Sequence, residues 1–542
     1  MKDTPEGADG AAGTSITPLT RRAVLRAAGL GAGVLTLGTG LLSACSGDDR
    51  SASSTPGTDG SPPRGGRFTA AFRRGFSNLE TSTIPGAAAI AISWYWSERL
   101  YRPDPLPPRS ELFPELATAM PEELSPTTYR IPLRADVTFH DGAPLTAEDV
   151  VFTVEWVRDP ANGSLWAPFL DIIENIGAIN DTELEVTLQA PTTLLAARLA
   201  LFPIRSRAAQ EPFELEPIGS GPYRVVSAAS DERVVLERFE GYAGSRDIEY
   251  DELELVVVSD DNARISGLRA GQFKLVEDVP PSAFEQLSGA DDVKVEAVDG
   301  YGWTTAIFNC GRSPFDNANL RRAVAYAIDR DAINQTRFLG LAAPAWTGFV
   351  SPDHPDYTEP DVVYRFDPAH ARGLIEDAGF DVDAGVPIDL LVSGAPADAP
   401  IIEQNLRDVG FAPRIIPIDD ASSLQTSGEF DLSITAGITD TSFFSTGLEF
   451  MTRFSFTGFV VDSLAHWSGS EREEVERILN ESVAAADEDA YRAALADALN
   501  IIQDEVPILA IMRPKQITGW SNTLEDFRPG PSIGVVVDGV RG

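Results

Sequence analysis

The feature that most constrains the fold is an abrupt change of composition near residue 66. Residues 46–66, SGDDRSASSTPGTDGSPPRGG, are small, polar or turn-forming and include no large apolar side chain. Such a segment cannot bury enough surface to fold, so we expect a flexible tether there. The chain from residue 67 to residue 542 is longer than one hydrophobic core usually organises, and it therefore predicts at least two domains.

The segment before the tether has the layout of an export signal. Two adjacent arginines, Arg21 and Arg22, precede an uncharged apolar run over residues 27–44, and Cys45 follows the run. A membrane-spanning helix is the alternative, but the run contains five glycines, which are unfavourable inside a helix. An export signal is therefore the better interpretation.

Two short motifs in this segment resemble known bacterial signals. The arginine pair resembles a twin-arginine signal, and the sequence LSAC, which ends at Cys45, resembles a lipobox. The resemblance implies that residues 1–44 are a signal peptide, that Cys45 carries lipid, and that residues 45–66 are a tether. The alternative is a cleaved secretory peptide in which Cys45 is incidental.

Charge and cysteine content exclude further classes of protein. The formal net charge is −39, which argues against nucleic acid as a partner because nucleic acid is itself strongly negative. If Cys45 carries lipid, Cys310 has no partner for an intramolecular disulfide, since the chain has only two cysteines. Apolar cores must then hold the exported part together, and we interpret Cys310 as a small buried apolar residue.

Helix and strand patterns alternate along the chain and predict a mixed α/β fold without internal repeats. Alternating apolar residues predict a strand over residues 129–139. Thr146 and Asp149 then form a capping-box pattern at the start of a helix. Helical spacing predicts further helices within residues 317–329, 367–379 and 470–503.

Three patterns are reminiscent of catalytic sites, but none satisfies the requirements of its chemistry. His140 and Asp141 are neighbours at a strand end, where their side chains point apart and Asp suits a turn. The sequence GPSIG around Ser532 matches a nucleophile elbow, yet no histidine follows it. The glycine-rich loop PIGSGPY (217–223) lacks the Lys-Ser or Lys-Thr of a phosphate-binding loop. The four histidines are scattered, so we expect neither a catalytic site nor a metal site nor a cofactor.

Four segments carry a resemblance to one family of binding proteins. The chain resembles the extracellular solute-binding proteins of oligopeptide, dipeptide and nickel ABC importers, known as solute-binding family 5. It differs from the usual pattern at Ser220, where the family commonly has Thr, and at Lys274, where it commonly has Asp. The four segments are YRIPLRADVTFHDGAPLTAEDVVFTVEW (129–156), PIGSGPYRV (217–225), PFDNANLRRAVAYAIDRDAI (314–333) and ARGLIEDAGF (371–380).

The resemblance implies a bilobed clamp of α/β lobes, like the periplasmic binding proteins, with an additional domain inserted in the first lobe. By similarity, lobe one comprises residues 67–98, 216–303 and 506–542. The inserted domain comprises residues 99–215, and lobe two comprises residues 304–505. A ligand bound between the lobes would favour the closed form, which a permease can recognise. The energy for transport would come from a separate ATPase.

The resemblance also suggests residues that bind the ligand. Peptide-binding members have an aspartate in lobe two that pairs with the peptide ammonium, and Asp440 in AGITDTSFFSTGLEF (436–450) is the candidate here. Gly437 and Phe443 belong to the same segment. The segment departs from the family pattern, because the aromatic residue next to the aspartate and the proline after it are absent. The alternative is that Asp440 is a solvated loop residue.

Three aromatic residues are additional candidates for the binding site. Tyr301 and Trp303 precede the expected second lobe, and Trp346 lies within it. Aromatic faces stack on sugars or cover apolar side chains, although a large ring is as readily part of a core.

We therefore expect a monomeric, lipid-anchored protein on the outer face of the cytoplasmic membrane that delivers a small solute to an ABC permease. A peptide ranks first as the solute. An oligosaccharide or another small polar solute ranks second, and nickel or haem ranks lower. A ligand sensor without transport and a lipid-anchored hydrolase are the alternatives from other classes.

Overall fold

The structure of the protein, a computed structural model, describes most of the chain from residue 65 onward. The predicted signal peptide and nearly all of the tether, including Arg21, Arg22 and Cys45, lie outside the described residues. No helix in the described part combines the length and apolarity that crossing a membrane requires. The described residues are 65–83, 87–103, 111–164, 166–209, 215–300, 302–346, 352, 357–393, 398–418, 421–439, 458, 460–485, 487–531, 534 and 536–542.

The strands are numbered in chain order. They are β1 (Arg67–Phe72), β2 (Tyr101–Pro103), β3 (Leu112–Pro114), β4 (Glu122–Ser125), β5 (Thr128–Pro132), β6 (Ile173–Asn180), β7 (Glu183–Leu188), β8 (Tyr223–Ala229), β9 (Arg233–Arg238), β10 (Glu252–Val257), β11 (Leu275–Val276), β12 (Val293–Val298), β13 (Trp303–Phe308), β14 (Ala342–Pro344), β15 (Val386–Ser393), β16 (Phe411–Ile418), β17 (Leu432–Thr439), β18 (Ile508–Pro514) and β19 (Gln516–Ser521).

The α-helices of the described residues are numbered in the same way, and short helices of other types accompany them. The α-helices are α1 (Ala87–Trp96), α2 (Ala147–Arg158), α3 (Leu195–Leu199), α4 (Asp261–Arg269), α5 (Pro281–Ser288), α6 (Ala318–Ala327), α7 (Arg330–Ile333), α8 (Pro368–Asp377), α9 (Ala399–Val409), α10 (Ser422–Ser427), α11 (Ser470–Ser482) and α12 (Glu488–Glu505). The described residues also include two 3-10 helices (Pro160–Asn162 and Ala167–Leu170) and two π-helices (Asn334–Phe338 and Val460–Ala465).

Seven strands form the first sheet, in the order β12-β19-β11-β1-β10-β9-β8. β1 lies between two parallel neighbours, β10 and β11. Its side chains alternate between two apolar clusters: Phe68 and Ala70 pack with residues of α1, whereas Ala71 packs with residues of α4 and α5. Helices therefore cover both faces, as expected for a sheet with parallel strands at its centre.

Six strands form the second sheet, in the order β14-β18-β13-β17-β15-β16. β15 is parallel to β16 and β17, and β13 is antiparallel to β17 and β18. β18 is buried along its whole length. Leu509 and Ile511 face a cluster that includes α6, and Ile508 and Ala510 face the opposite cluster.

A smaller antiparallel sheet lies within residues 99–215. Its four strands have the order β4-β5-β7-β6, and β2 pairs with β3 beside it. Ile131, Leu184 and Val186 of this sheet pack with Val150 and Val154 of α2 in one apolar cluster. Two large α/β sheets and a separate small one confirm the predicted fold class.

The sequence prediction assigned all residues from 506 onward to lobe one. The strand pairing in the structure differs from this prediction. β18 pairs with β13 and β14 of the second sheet, and the chain joins the first sheet only at Gln516. β19 follows β18 after a single residue, Lys515, and both strands are buried, so the sequence does not show where one sheet ends and the other begins. The remaining lobe boundaries stay predictions.

The local sequence patterns predicted the helix starts well and one strand end poorly. The Asp149 carboxylate accepts hydrogen bonds from the backbone N–H and the hydroxyl of Thr146, each at 2.9 Å, which confirms the capping box of α2. The predicted strand 129–139 was too long, because β5 ends at Pro132. Proline has no backbone N–H to continue the ladder, and the chain bends at exposed Ala135.

Candidate ligand-binding cleft

The carboxyl ends of the parallel strands in both large sheets face the point where the chain passes between the sheets. In the first sheet, β12 runs in the direction of β1 and β11, because β19 is antiparallel to both β11 and β12. In the second sheet, β13 runs opposite to β17. The chain therefore leaves one carboxyl edge and enters the other. Open α/β sheets bind ligands outside this edge, so the space between the two edges is the candidate cleft.

Two short connections form the hinge between the sheets. One comprises residues 299–302, and the other is Lys515 alone. A Cβ atom on Gly300 would overlap the carbonyl oxygen of Pro514, so this position requires glycine because the two connections approach closely. The Asp299 carboxylate also pairs with Lys515 Nζ at 3.1 Å. The two connections therefore pack against each other as one unit.

The structure brings two of the predicted ligand-binding residues to this edge. Trp303 begins β13 and pairs with Thr439, the last residue of β17. Its side chain is only 2% exposed. Gly437 lies two residues before Thr439 in the same strand. Three further candidates, Tyr301, Asp440 and Phe443, lie outside the described residues.

Trp346 occupies a different position, on the outer side of β18. The neighbouring Ala345 donates its backbone N–H to Ile511 at 3.0 Å. The guanidinium carbons of Arg330 and Arg365 lie 5.2 Å and 5.7 Å from the centre of the Trp346 ring. The Trp346 ring therefore has two guanidinium groups within the distance of cation–π contacts.

Two polar residues at the hinge were missed by the sequence analysis. Arg513 is 6% exposed and Gln516 is 8% exposed, and the two residues flank the connection at Lys515. A signal was present in the sequence, because Arg513 and Lys515 interrupt an otherwise apolar stretch in a chain with only four lysines. That signal does not reveal burial, which depends on the packing of both sheets.

His140 joins two of the family-like segments. Its Nδ1 accepts the Gly219 backbone N–H at 3.3 Å, and its Nε2 lies 3.1 Å from the Gly221 carbonyl oxygen, to which a protonated Nε2 donates. Burial is the main cause that lowers the pKa of His140, to about 4. The imidazole is therefore neutral at pH 7, and both nitrogens serve the scaffold rather than catalysis.

The loop 217–223 requires its glycines because its backbone approaches the end of α1 closely. A side chain on Gly221 would place its Cβ 2.5 Å from the backbone nitrogen of Ser97, and one on Gly219 would overlap Trp96. Neither glycine has a positive φ angle. The loop therefore packs tightly against the end of α1, which explains its composition without a phosphate ligand.

Two buried carboxylates lie where α1 meets the small sheet. Burial and then the neighbouring Glu115 raise the pKa of Glu98 to about 8. Arg134 lies 3.5 Å from Glu98, and the backbone N–H of Arg99 donates to Glu115 at 2.8 Å. The two carboxylates therefore belong to the packing where α1 meets the small sheet.

Residues near the sequence patterns that resemble catalytic sites have structural roles in the described part of the chain. The backbone N–H of Gly534 donates to Glu277 at 2.9 Å, whereas Ser532 lies outside the described residues. Burial raises the pKa of the Cys310 thiol to about 12, so it stays protonated. Among the described residues, no three His, Cys, Asp or Glu side chains are placed to hold a metal ion.

Comparison with known families decides the class of the protein. Residues 111–456 match the model of the bacterial extracellular solute-binding proteins, family 5 middle region. The chain belongs to this family. The family is one of binding proteins, which agrees with the prediction that the chain is not an enzyme.

Curated relatives are similar over part of their length. The glutathione-binding protein GsiB of Pectobacterium atrosepticum is 28% identical over 259 residues, which cover 47% of this chain and 50% of the relative. GsiB of Escherichia coli K12 is 29% identical over the same length and coverage. The chain thus spans about half the length of the curated relatives it matches.

Solved structures extend the similarity of fold to most of the chain. The dipeptide-binding protein of Pseudoalteromonas sp. SM9913 in complex with Met-Leu has a TM-score of 0.77 at 19% identity, covering 88% of this chain and 100% of that protein. NikZ of Campylobacter jejuni in complex with Ni(L-His) has a TM-score of 0.76 at 17% identity, with coverages of 86% and 96%. The fold is therefore that of the bilobed periplasmic binding proteins.

Proposed function

We propose that the protein is the substrate-binding component of an ABC importer and that it captures a peptide between its two lobes. The observation that carries the proposal is the hinge, which joins the carboxyl edges of two α/β sheets through two short connections. A solute that contacts both edges stabilises the closed form, and no covalent chemistry is needed. Relatives that bind glutathione and dipeptides support a peptide as the solute.

The proposal includes the anchor and the partners. Cys45 carries lipid and residues 45–66 tether the domain to the outer face of the membrane. At about 5 to 6 Å times the square root of the number of residues, a flexible tether of this length spans roughly 25 Å. The monomeric protein then presents its closed form to a permease, which an ATPase drives.

Asp440 is the proposed partner of the peptide ammonium. Thr439, the preceding residue, ends β17 beside Trp303 at the cleft edge, which supports a position for Asp440 near a bound solute. A carboxylate in a closed cleft requires a cation, because an unpaired buried charge is costly.

A binding screen tests the proposal. The protein is stripped of co-purified ligand and its thermal unfolding is measured with trialanine, N-acetyl-trialanine, maltotriose and a nickel–histidine complex. A ligand at a hundred times its dissociation constant adds about 2.7 kcal/mol to the free energy of unfolding. We expect trialanine to stabilise the protein and the acetylated peptide to bind roughly 10- to 100-fold more weakly, as loss of a charged hydrogen bond predicts.

A pair of variants assigns the effect to the residue. Asp440→Asn should abolish the preference for the free ammonium, whereas Asp383→Asn, which alters a side chain that is 90% exposed, should preserve it. Stabilisation by maltotriose alone, or by the nickel complex alone, would contradict the peptide assignment. An unchanged preference in Asp440→Asn would contradict the role of this aspartate.

A further inference from the structure

Leu341 directly precedes a strand of the second sheet, yet its side chain packs with the first sheet. The next residue, Ala342, begins β14 and pairs with Pro514 in the second sheet. The half-buried Leu341 side chain packs against the apolar cluster that the first sheet forms with α4 and α5. Among the described members of this cluster, Leu341 alone comes from residues 304–505. A side chain from one half of the molecule is therefore embedded in the other half.

A tight turn holds Leu341 in this position. Its backbone N–H donates to the carbonyl oxygen of Phe338 at 2.8 Å, and the Gly340 N–H donates to that of Asn334 at 3.2 Å. Leu339 and Gly340 have positive φ angles of 52° and 83°. Phe338 is 5% exposed and packs with the second sheet. Two side chains three residues apart are therefore anchored in the clusters of different sheets.

The π-helix before the turn is fixed on both sides. Nη1 of Arg337 donates to Oδ2 of Asp398 at 2.7 Å, and Asp398 is fully buried at the start of α9. Nδ2 of Asn334 donates to the carbonyl oxygen of Ala342 at 2.8 Å, which joins the π-helix to β14. On the other side, α5 of the first-sheet half contacts the same π-helix. The turn that carries Leu341 is therefore firmly supported.

The contact made by Leu341 lies beside the hinge. The Lys515 backbone N–H donates to the carbonyl oxygen of Leu341 at 3.0 Å, and the Lys515 ammonium pairs with Asp299 at 3.1 Å. Leu341 is thus bonded to one connection of the hinge, and that connection pairs with the other. When two lobes rotate about a hinge, the groups next to the axis move least. This contact can therefore persist in the open and in the closed form.

Two backbone connections alone leave the lobes free to twist as well as to close, because each connection rotates about its own φ and ψ angles. A side chain packed in the opposite lobe resists twisting, since dense packing leaves little room for displacement. We infer that Leu341 is a positioning residue for solute capture, which keeps the two carboxyl edges aligned while the lobes rotate. The inference rests on the proposed function, because the lobe motion that Leu341 guides is the motion that encloses the solute.

Leu341→Ala should widen the range of lobe orientations in the absence of solute. Spin labels at Lys294→Cys in β12 and Asp383→Cys after α8 report the distance between the lobes, and both positions are exposed. Cys45→Ser removes one competing thiol, and burial keeps the thiol of Cys310 protonated. Pulsed electron paramagnetic resonance of the stripped full-length protein should give a broader distance distribution for Leu341→Ala than for the wild type. Saturating trialanine should narrow it.

The same variant should bind trialanine about 3- to 10-fold more weakly in calorimetry, because aligned orientations make up a smaller share of its solute-free form. Leu374→Ala is the matched control, since Leu374 is also half-buried but packs in the cluster of the second sheet. It should leave the distance distribution and the affinity as in the wild type. If Leu341→Ala does not fold, Leu341→Val decides, with smaller changes in the same direction.

A solute-free distance distribution of Leu341→Ala as narrow as that of the wild type overturns the inference. An equal broadening in Leu374→Ala also overturns it, because the effect would then be a general loss of packing. A difference that appears only with solute bound would indicate a contact specific to the closed form, which contradicts a contact kept in both forms. Failure of the wild type to bind trialanine, maltotriose or the nickel–histidine complex contradicts the proposed function, whereas the solute-free distances still test Leu341.

Discussion

Arg205 and Arg513 are both almost fully buried, yet the groups around them differ. Arg205 lies between lobe one and the small sheet, and it faces the Glu80 carboxylate at 2.6 Å and the Trp156 ring at 4.1 Å. The charge of Arg513 interacts with the phenol of Tyr357 and with the buried guanidinium of Arg330.

The difference separates an arginine that is paired with a carboxylate from one that lies near a second cation. A buried charge that faces an opposite charge is matched within the fold, and breaking the pair leaves an uncompensated charge. A buried arginine beside a second cation gains nothing from that neighbour, and burial and then the Arg513 charge lower the pKa of Arg330. Breaking the pair of Arg205 and Glu80 should therefore affect stability.

The largest expected effect is on the structural pair. Glu80→Ala should lower the free energy of unfolding by about 3 to 5 kcal/mol, because it leaves Arg205 buried without its carboxylate. Urea unfolding followed by circular dichroism measures the change. The double variant Glu80→Leu with Arg205→Met should recover much of the loss, because it removes both charges. A Glu80→Ala variant as stable as the wild type would contradict the structural role of the pair.

A second prediction concerns His140, which is buried in neutral form rather than paired with a charge. The folded protein keeps the imidazole neutral down to about pH 4, whereas the unfolded chain takes up a proton near pH 6.5. The unfolded state therefore binds more protons between these values, and the free energy of unfolding falls as the pH is lowered through this window. The difference in pKa of His140 between the folded and unfolded states lowers the free energy of unfolding by about 3 kcal/mol across this window.

Carboxylates also titrate in this range, so the comparison must be with a variant. His140→Gln retains one donor and one acceptor but does not titrate. Its free energy of unfolding, measured by urea unfolding from pH 7 to pH 4, should depend less steeply on pH than that of the wild type. Parallel pH profiles for the two proteins would show that His140 does not contribute.

The smallest expected effect on stability is at the hinge. Gly300→Ala forces a methyl group against the carbonyl of Pro514, which should cost about 1 to 3 kcal/mol as other overpacking substitutions do. It should also weaken solute binding, because the two connections must shift. Gly163→Ala is a control, since Gly163 has open space around it but a strained φ of 59°; it should leave binding unchanged. Unaltered binding in Gly300→Ala would argue against a hinge at this position.

The sequence predicted those features that depend on local patterns. The capping residue Thr146, the helix within residues 317–329, the helix that follows Asp367, and the α/β class follow from spacing and turn chemistry, and the structure confirms them. The family segments also identified the class, although their residues serve packing: His140 binds the loop 217–223, and the glycines of that loop pack against the end of α1.

Features that depend on contacts between distant segments were not predictable. The assignment of β18 to the second sheet depends on pairing with β13, about 200 residues away along the chain. The burial of Arg513 and Gln516 depends on the same pairing. The aromatic residues were candidates for ligand contacts or for the core, and the structure places Trp346 near two arginines. Side-chain type does not decide between core and cleft.

Hydrogen exchange with mass spectrometry tests the location of the captured solute most directly. The protein is compared with and without saturating trialanine. The account predicts slower exchange in fragments that cover the hinge and the neighbouring strand ends, residues 299–305 and 512–518. Slower exchange confined to outer surfaces, such as the groove between α4 and α5, would contradict capture between the two carboxyl edges.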